Sequence, residues 1–169
     1  MNEKIINENK PSIEKMILRQ ERKKINEENF LYLGRKYDIV YLNDSNLILG
    51  NDKVLMPKDF DLDKWYLKEA KKVFTEELDK IYNIFPKKIT YPSLTIRKMK
   101  SRWGVCNVKT KRVTLNLELI RKDIKYLDYV IAHELSHLIH PNHSKDFWNL
   151  VAEVIPNYKT LRKEMKNYE

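Results

Sequence analysis

A chain of 169 residues, 42% of them hydrophobic, can bury one packed core, and no apolar run approaches the roughly 18 residues needed to cross a bilayer. A single cysteine, Cys106, excludes an internal disulfide and a cysteine-rich metal site and points to a reducing cytoplasm; three glycines are too few for a P-loop or a dinucleotide fingerprint. The net charge of +9 is concentrated between Pro86 and Lys125, where twelve lysines and arginines face only Glu118 and Asp123. Such a stretch suits an acidic partner, nucleic acid among them, as well as it suits a solvated lysine-rich hairpin.

Residues 1–10 have no apolar rhythm, and MNEKIINENK is too polar for the apolar core of a signal peptide. Pro11 and Ser12 open a charged helix over residues 13–24, so residues 1–29 are expected as a tail and helix, and residues 30–169 as the main domain. Phe30 to Leu42, Leu47 to Leu49 and Val54 to Met56 are short β-rich runs separated by Asn43-Asp44-Ser45 and Gly50-Asn51-Asp52. They predict a three-strand antiparallel meander. Asp61 or Asp63 caps a helix from Leu62 to Phe85, stopped by Pro86, with Tyr66, Ala70, Val73, Phe74, Leu78, Ile81, Tyr82 and Phe85 at helical spacing. Ile89 to Met99 and Arg112 to Leu119 read as strands joined by a long connection, Ser101 to Lys111. Asp123 caps a helix that must stop near Pro141. Another helix covers Ser144 to Ile155, and Pro156 starts a last one. The sum is an α+β chain.

All four histidines lie in HELSHLIHPNH, from His133 to His143. His133 and His137 are four apart on a helix, so both imidazoles share one face about 6 Å apart along the axis and can reach one ion. Glu134 follows the first, where a carboxylate can take a proton from a metal-activated water without binding the metal. His140, about 10 Å beyond His133 along a continued helix, is too far to join them. Pro141 turns the chain there, and His143 can fold back as the third ligand. Glu153, on the next helix, is the runner-up. The spacing from His137 to His143 equals that of metzincins, but His140 stands where those enzymes have glycine.

The segments KSRWGVC (Lys100 to Cys106), VTLNLEL (Val113 to Leu119), DYVIAHELSHL (Asp128 to Leu138) and NHSKDFW (Asn142 to Trp148) resemble the YgjP-like metallopeptidase family, related to SprT-like and WLM-type zincins. The helix with Trp65 and Ala70 and the run LGRKY extend the resemblance from about Leu31 onward. It implies a zincin-like fold, a small antiparallel sheet against the active-site helix, with Zn2+ held by His133, His137 and His143 and Glu134 catalytic. Val105 stands where the family usually has serine, and the β region usual before LGRKY is missing or reduced to one helix.

Further candidates are weaker. Arg97 and Arg102 can hold an acidic substrate group or stabilise an oxyanion. Trp103 is a core anchor or a wall of the cleft, and Asn116 can bond an extended substrate backbone. Asp146 and Glu153 can orient an imidazole. The expected activity is zinc-dependent peptide hydrolysis. Its rivals are zinc-dependent hydrolysis of nucleotide phosphoanhydrides and a nucleic-acid-associated protein with a metal site, contacting its partner through residues 97–112.

Overall fold

The computed structural model describes residues 26–43 and 46–166. The expected tail, the helix over residues 13–24, and Asp44 and Ser45 of the first turn cluster lie outside the described residues. The chain divides into two compact units that meet at Leu62 and Asp63. The division expected near residue 30 falls at the margin of what is described.

Among the described residues the first unit holds four strands rather than three: β1 (Asn26–Tyr32), β2 (Arg35–Tyr41), β3 (Ile48–Leu49) and β4 (Lys53–Met56). The run from Phe30 to Leu42, read as one strand, is two arms of a hairpin. Leu33 and Gly34 have φ of 48° and 77°, and this pair of positive angles makes a two-residue turn that matches the strand twist. Tyr32 then faces Arg35 and Phe30 faces Tyr37, whose rings meet edge to face at 5.9 Å. The sheet order is β1-β2-β4-β3, and β4 runs parallel to β2. The arrangement is therefore not a simple meander. Inserting β4 between β2 and β3 buries Val54 and Leu55 completely and packs Val40, Leu42 and Ile48 around Leu55.

The second unit starts with α1 (Leu62–Ile84), whose buried Tyr66, Ala70, Val73, Phe74, Leu78 and Ile81 form one helical face. A three-stranded sheet follows, built from β5 (Ser93–Arg97), β6 (Gly104–Asn107) and β7 (Arg112–Asn116) in the order β5-β7-β6. Here too the expectation needs correcting. The connection from Ser101 to Lys111 contains β6, so β7 is central, antiparallel to β6 and parallel to β5. The sheet is mixed rather than antiparallel. Val113, Thr114, Leu115 and Asn116 of β7 are all buried, as a central strand covered on both faces requires.

After a 3-10 turn (Leu117–Arg121), the Asp123 carboxylate accepts from the Lys125 amide at 3.0 Å and caps α2 (Ile124–His137). Such a cap contributes about 1 kcal/mol. The helix lies against β6 and β7. Ser144 caps α3 (Lys145–Val154) by accepting from the Phe147 amide at 3.2 Å, and α4 (Tyr158–Lys166) closes the unit with Leu161 and Met165 buried. Among the described residues no helix is long and apolar enough to cross a membrane.

Candidate active site

The last two turns of α2 present two faces with different surroundings. Leu135 and Ile131 are fully buried, while His133 and His137 are half-buried beside α3. The helix ends at His137, four residues before Pro141. The chain then turns back: His143 sits immediately before the Ser144 cap, so the start of α3 fixes its position. The nitrogens of His133, His137 and His143 lie within 4.8 Å of one another, and His133 Nε2 is 3.1 Å from His143 Nε2.

Phe147 is the platform under this cluster. Its ring centroid is 4.9 Å from that of His133, 4.5 Å from His137 and 4.8 Å from His143. Trp148 stacks on His143 at 5.5 Å, and Tyr158 stacks on Trp148 at 5.2 Å. Both aromatic residues of α3 thus limit how far the imidazoles can rotate. The His140 carbonyl accepts from His137 Nδ1 at 3.1 Å, which fixes the tautomer and leaves Nε2 with a free lone pair. Burial, with His137, His143 and Arg162 adding to it, pushes the His133 pKa down to about 3, and burial also lowers His137. At least two of the three imidazoles are therefore neutral at pH 7, as metal ligation demands.

Glu134 is 5% exposed, and its carboxylate lies under Gly104 of β6. A β-carbon at residue 104 would come within 2.6 Å of Glu134 Oε1 and 2.8 Å of its Cγ, so glycine is what makes room for the carboxylate. Burial raises the Glu134 pKa to about 8, with Arg102 acting in the opposite direction.

A cavity of about 270 Å³ opens on this point, with His133, His143 and Glu134 in its lining. Of the four residues expected to meet substrate, Arg102 and Trp103 line it, while Arg97 is exposed elsewhere on β5. Asn116 has another task. Its side-chain NH2 donates to the carbonyls of Met99 and Arg102, both at 2.9 Å, and its Oδ1 accepts from the Glu118 amide at 3.1 Å. Both amide hydrogens hold the loop that carries Arg102, so the expected bond to a substrate backbone has no donor left. Asp146 and Glu153 are exposed and outside the cluster, and a backbone carbonyl does the orienting expected of them. Cys106 is half-buried; burial, and after it the Glu134 charge, pushes its thiol up to about 11, and it takes no part in the cluster.

Sequence reasoning missed Phe147 as a platform, and Tyr129, Trp148, Arg162 and Lys166 as cavity walls. Tyr129 was findable, one helical turn before His133. The others arrive from α3 and α4 through packing alone.

The residues thus fit a divalent ion that takes nitrogen ligands, with a buried carboxylate next to it. Comparison with known proteins agrees. The family described as "YgjP-like, metallopeptidase domain" matches residues 2–168. The chain belongs to the YgjP-like metallopeptidase domain family. Membership implies a bound metal ion and peptide substrates, and the histidine cluster is a group able to hold that ion. Among solved structures, the metallopeptidase zymogen abylysin of Pyrococcus abyssi superimposes with a TM-score of 0.51 at 22% identity, over 56% of this chain and 93% of that one. This likeness supports the zincin-like α+β fold. The metallopeptidase zymogen jannalysin of Methanocaldococcus jannaschii gives a TM-score of 0.44 at 24% identity, over 59% of this chain and 95% of the other. No curated protein matches the chain.

Proposed function

We propose that this YgjP-like chain is a zinc-dependent peptidase in which His133, His137 and His143 hold the ion and Glu134 is the general base. The observation that carries the reading is the convergence of three imidazole nitrogens within 4.8 Å, with Glu134 next in sequence to the first. When bound, zinc supplies Lewis acidity, bringing the pKa of water towards about 7 and polarising the carbonyl under attack.

The remaining work falls to the chain. Glu134 accepts the proton of the attacking water and delivers it to the leaving amine. Its burial keeps competing water away from that proton, and Arg102 favours the ionised form needed at the start of the cycle. Phe147 and Trp148 hold the imidazoles in place, and the His140 carbonyl keeps His137 in the ligating tautomer.

Elemental analysis and a peptide-cleavage assay test the reading together. Wild type is expected to hold about one zinc per chain, His143→Ala to lose it, and Glu134→Gln to keep it while losing cleavage by about 10³-fold or more. Zinc retained in His143→Ala, or cleavage retained in Glu134→Gln, sinks the assignment. Release of phosphate from a nucleoside triphosphate, with peptides left uncut, would replace it by phosphoanhydride hydrolysis.

A second property is favoured by the exposure of Arg97, Lys100, Lys109 and Arg112 within residues 97–112: contact with nucleic acid. Binding should then weaken steeply with salt and vanish on charge reversal at Lys98, Lys100 and Arg102 with zinc content intact. Salt-insensitive binding, or none, removes it. The unpaired Cys106 fits a cytoplasmic setting for the same reading.

A further inference from the structure

The walls of the cavity beside the imidazoles carry an unbalanced charge. Arg102 contributes from the loop before β6, and Arg162 and Lys166 contribute from successive turns of α4. Among the described residues, Glu134 is the one carboxylate in the lining. A neighbouring hollow of about 310 Å³ shares Trp148, Arg162 and Lys166 with the cavity and adds Lys159 and Lys163. On α4 the four cations stand at residues 159, 162, 163 and 166, the spacing of one helical side.

Among the described residues, none of Arg102, Lys159, Arg162, Lys163 and Lys166 has an acidic side chain within ion-pair distance. Arg162 is nevertheless held in place: its guanidinium lies 4.5 Å over the Trp148 ring, which also stacks with His143 and Tyr158. A solvated basic helix face, the commonest meaning of such spacing, needs no such anchoring and would not adjoin the imidazole cluster.

We infer that the cavity selects peptides carrying a carboxylate beside the bond to be cut, with Arg102 and Arg162 as the groups that bind it. The inference rests on the peptidase reading and narrows its substrate class. A planar guanidinium bonds a carboxylate through two parallel N–H donors, which a lone ammonium cannot do. Lys159, Lys163 and Lys166 extend the attraction outward, so further acidic residues along the peptide add to binding. The carboxylate is either an acidic side chain or the peptide's own C-terminus; the chemistry is the same and the test separates them.

The experiment uses the zinc-loaded full chain carrying Glu134→Gln, which permits binding to be read without turnover. Three peptides of one sequence are titrated calorimetrically: a neutral parent with glutamine and a C-terminal amide, a version with glutamate and the amide, and a version with glutamine and a free C-terminus. One carboxylate-bearing peptide is expected to bind at least about tenfold more tightly than the parent. Its identity names the source. That ratio should fall towards one when Arg162→Gln is added and recover in part with Arg162→Lys. Lys166→Gln, at an exposed position, gives a smaller reduction and covers the case of a poorly folded Arg162→Gln. Equal affinities for all three peptides overturn the inference, as does a nucleoside triphosphate that outcompetes both carboxylate peptides. Cleavage by zinc-loaded wild type is read separately. Failure to cut any peptide with the carboxylate preference intact would sink the peptidase reading and leave the cavity's selectivity standing.

Discussion

Glu134 and Gly104 are far apart in sequence yet form one unit of the site. The carboxylate occupies the space that a side chain at residue 104 would fill, with Val130 Cγ1 only 2.8 Å from the same point. Gly104→Ala therefore has to push aside either the Glu134 carboxylate or the helix that carries it. Overpacking of this kind costs roughly 1–3 kcal/mol. The displacement of a reacting group by about 1 Å lowers turnover by about 100-fold. The expected outcome is a kcat reduced on that order with zinc content unchanged, since none of the three imidazoles is touched. A variant with normal kcat would show that Glu134 does not need its present position. At this scale the sequence was informative wherever contacts are local: the i, i+4 spacing of His133 and His137 and the break at Pro141 are both readable in eleven consecutive residues. Arg162 was not readable, because nothing in its own segment says which face of α4 meets α2.

Helices were legible as elements for the same reason. The apolar spacing along α1 and the caps Asp123 and Ser144 are periodic or adjacent signals, and the structure follows them closely. Strands were less so. Gly104 to Asn107 offers four residues and no alternation, so β6 was hidden inside a connection; only its pairing with β7, and the approach of α2, make it a strand. The hairpin of β1 and β2 was hidden by Leu33, a residue that seldom adopts positive φ. Asn116 is where these elements are tied together. Besides its three bonds to the Met99–Arg102 loop, one of them accepted from the Met99 amide at 3.4 Å, it caps the 3-10 turn that leads into α2, and its own amide donates to the Trp103 carbonyl at 2.9 Å. Asn116→Ala takes the side-chain partner from those two part-buried loop carbonyls and from the Met99 and Glu118 amides while sparing the backbone bond. The expected loss is about 2–4 kcal/mol, read as a lower denaturation midpoint at unchanged m-value. Turnover at saturating substrate should fall as well, because Arg102 and Gly104 lose their anchorage. A midpoint within experimental error of wild type would mean that the loop is held by other contacts.

For the whole molecule, a site made to receive a cation should be visible in global stability. Burial holds the Glu134 pKa at about 8 in the metal-free chain, against a reference of 4.5, so between those values the folded state keeps a proton that the unfolded state has released. Stability then falls as pH rises through this window. Asp128, pushed to about 6 by burial and by the neighbouring Glu77 carboxylate, acts with the same sign between 3.8 and 6. His133 acts in the opposite direction. Its folded pKa of about 3 lies below the reference of 6.5, so its contribution rises with pH up to 6.5 and is constant beyond. From about pH 6.5 to 8, Glu134 therefore dominates the slope, which one proton limits to about 1.4 kcal/mol per pH unit. Chelator-treated wild type is expected to lose stability across this interval, and chelator-treated Glu134→Gln to stay level. Zinc beside the carboxylate favours its ionised form, so zinc-loaded wild type should also stay level, and should be more stable by about 2.7 kcal/mol at a free zinc concentration of 100 Kd. Denaturation midpoints of the three samples at half-unit pH steps read all of this at once. A flat profile for the metal-free wild type would mean that Glu134 is already ionised without a cation, and that the pocket is built around the carboxylate alone.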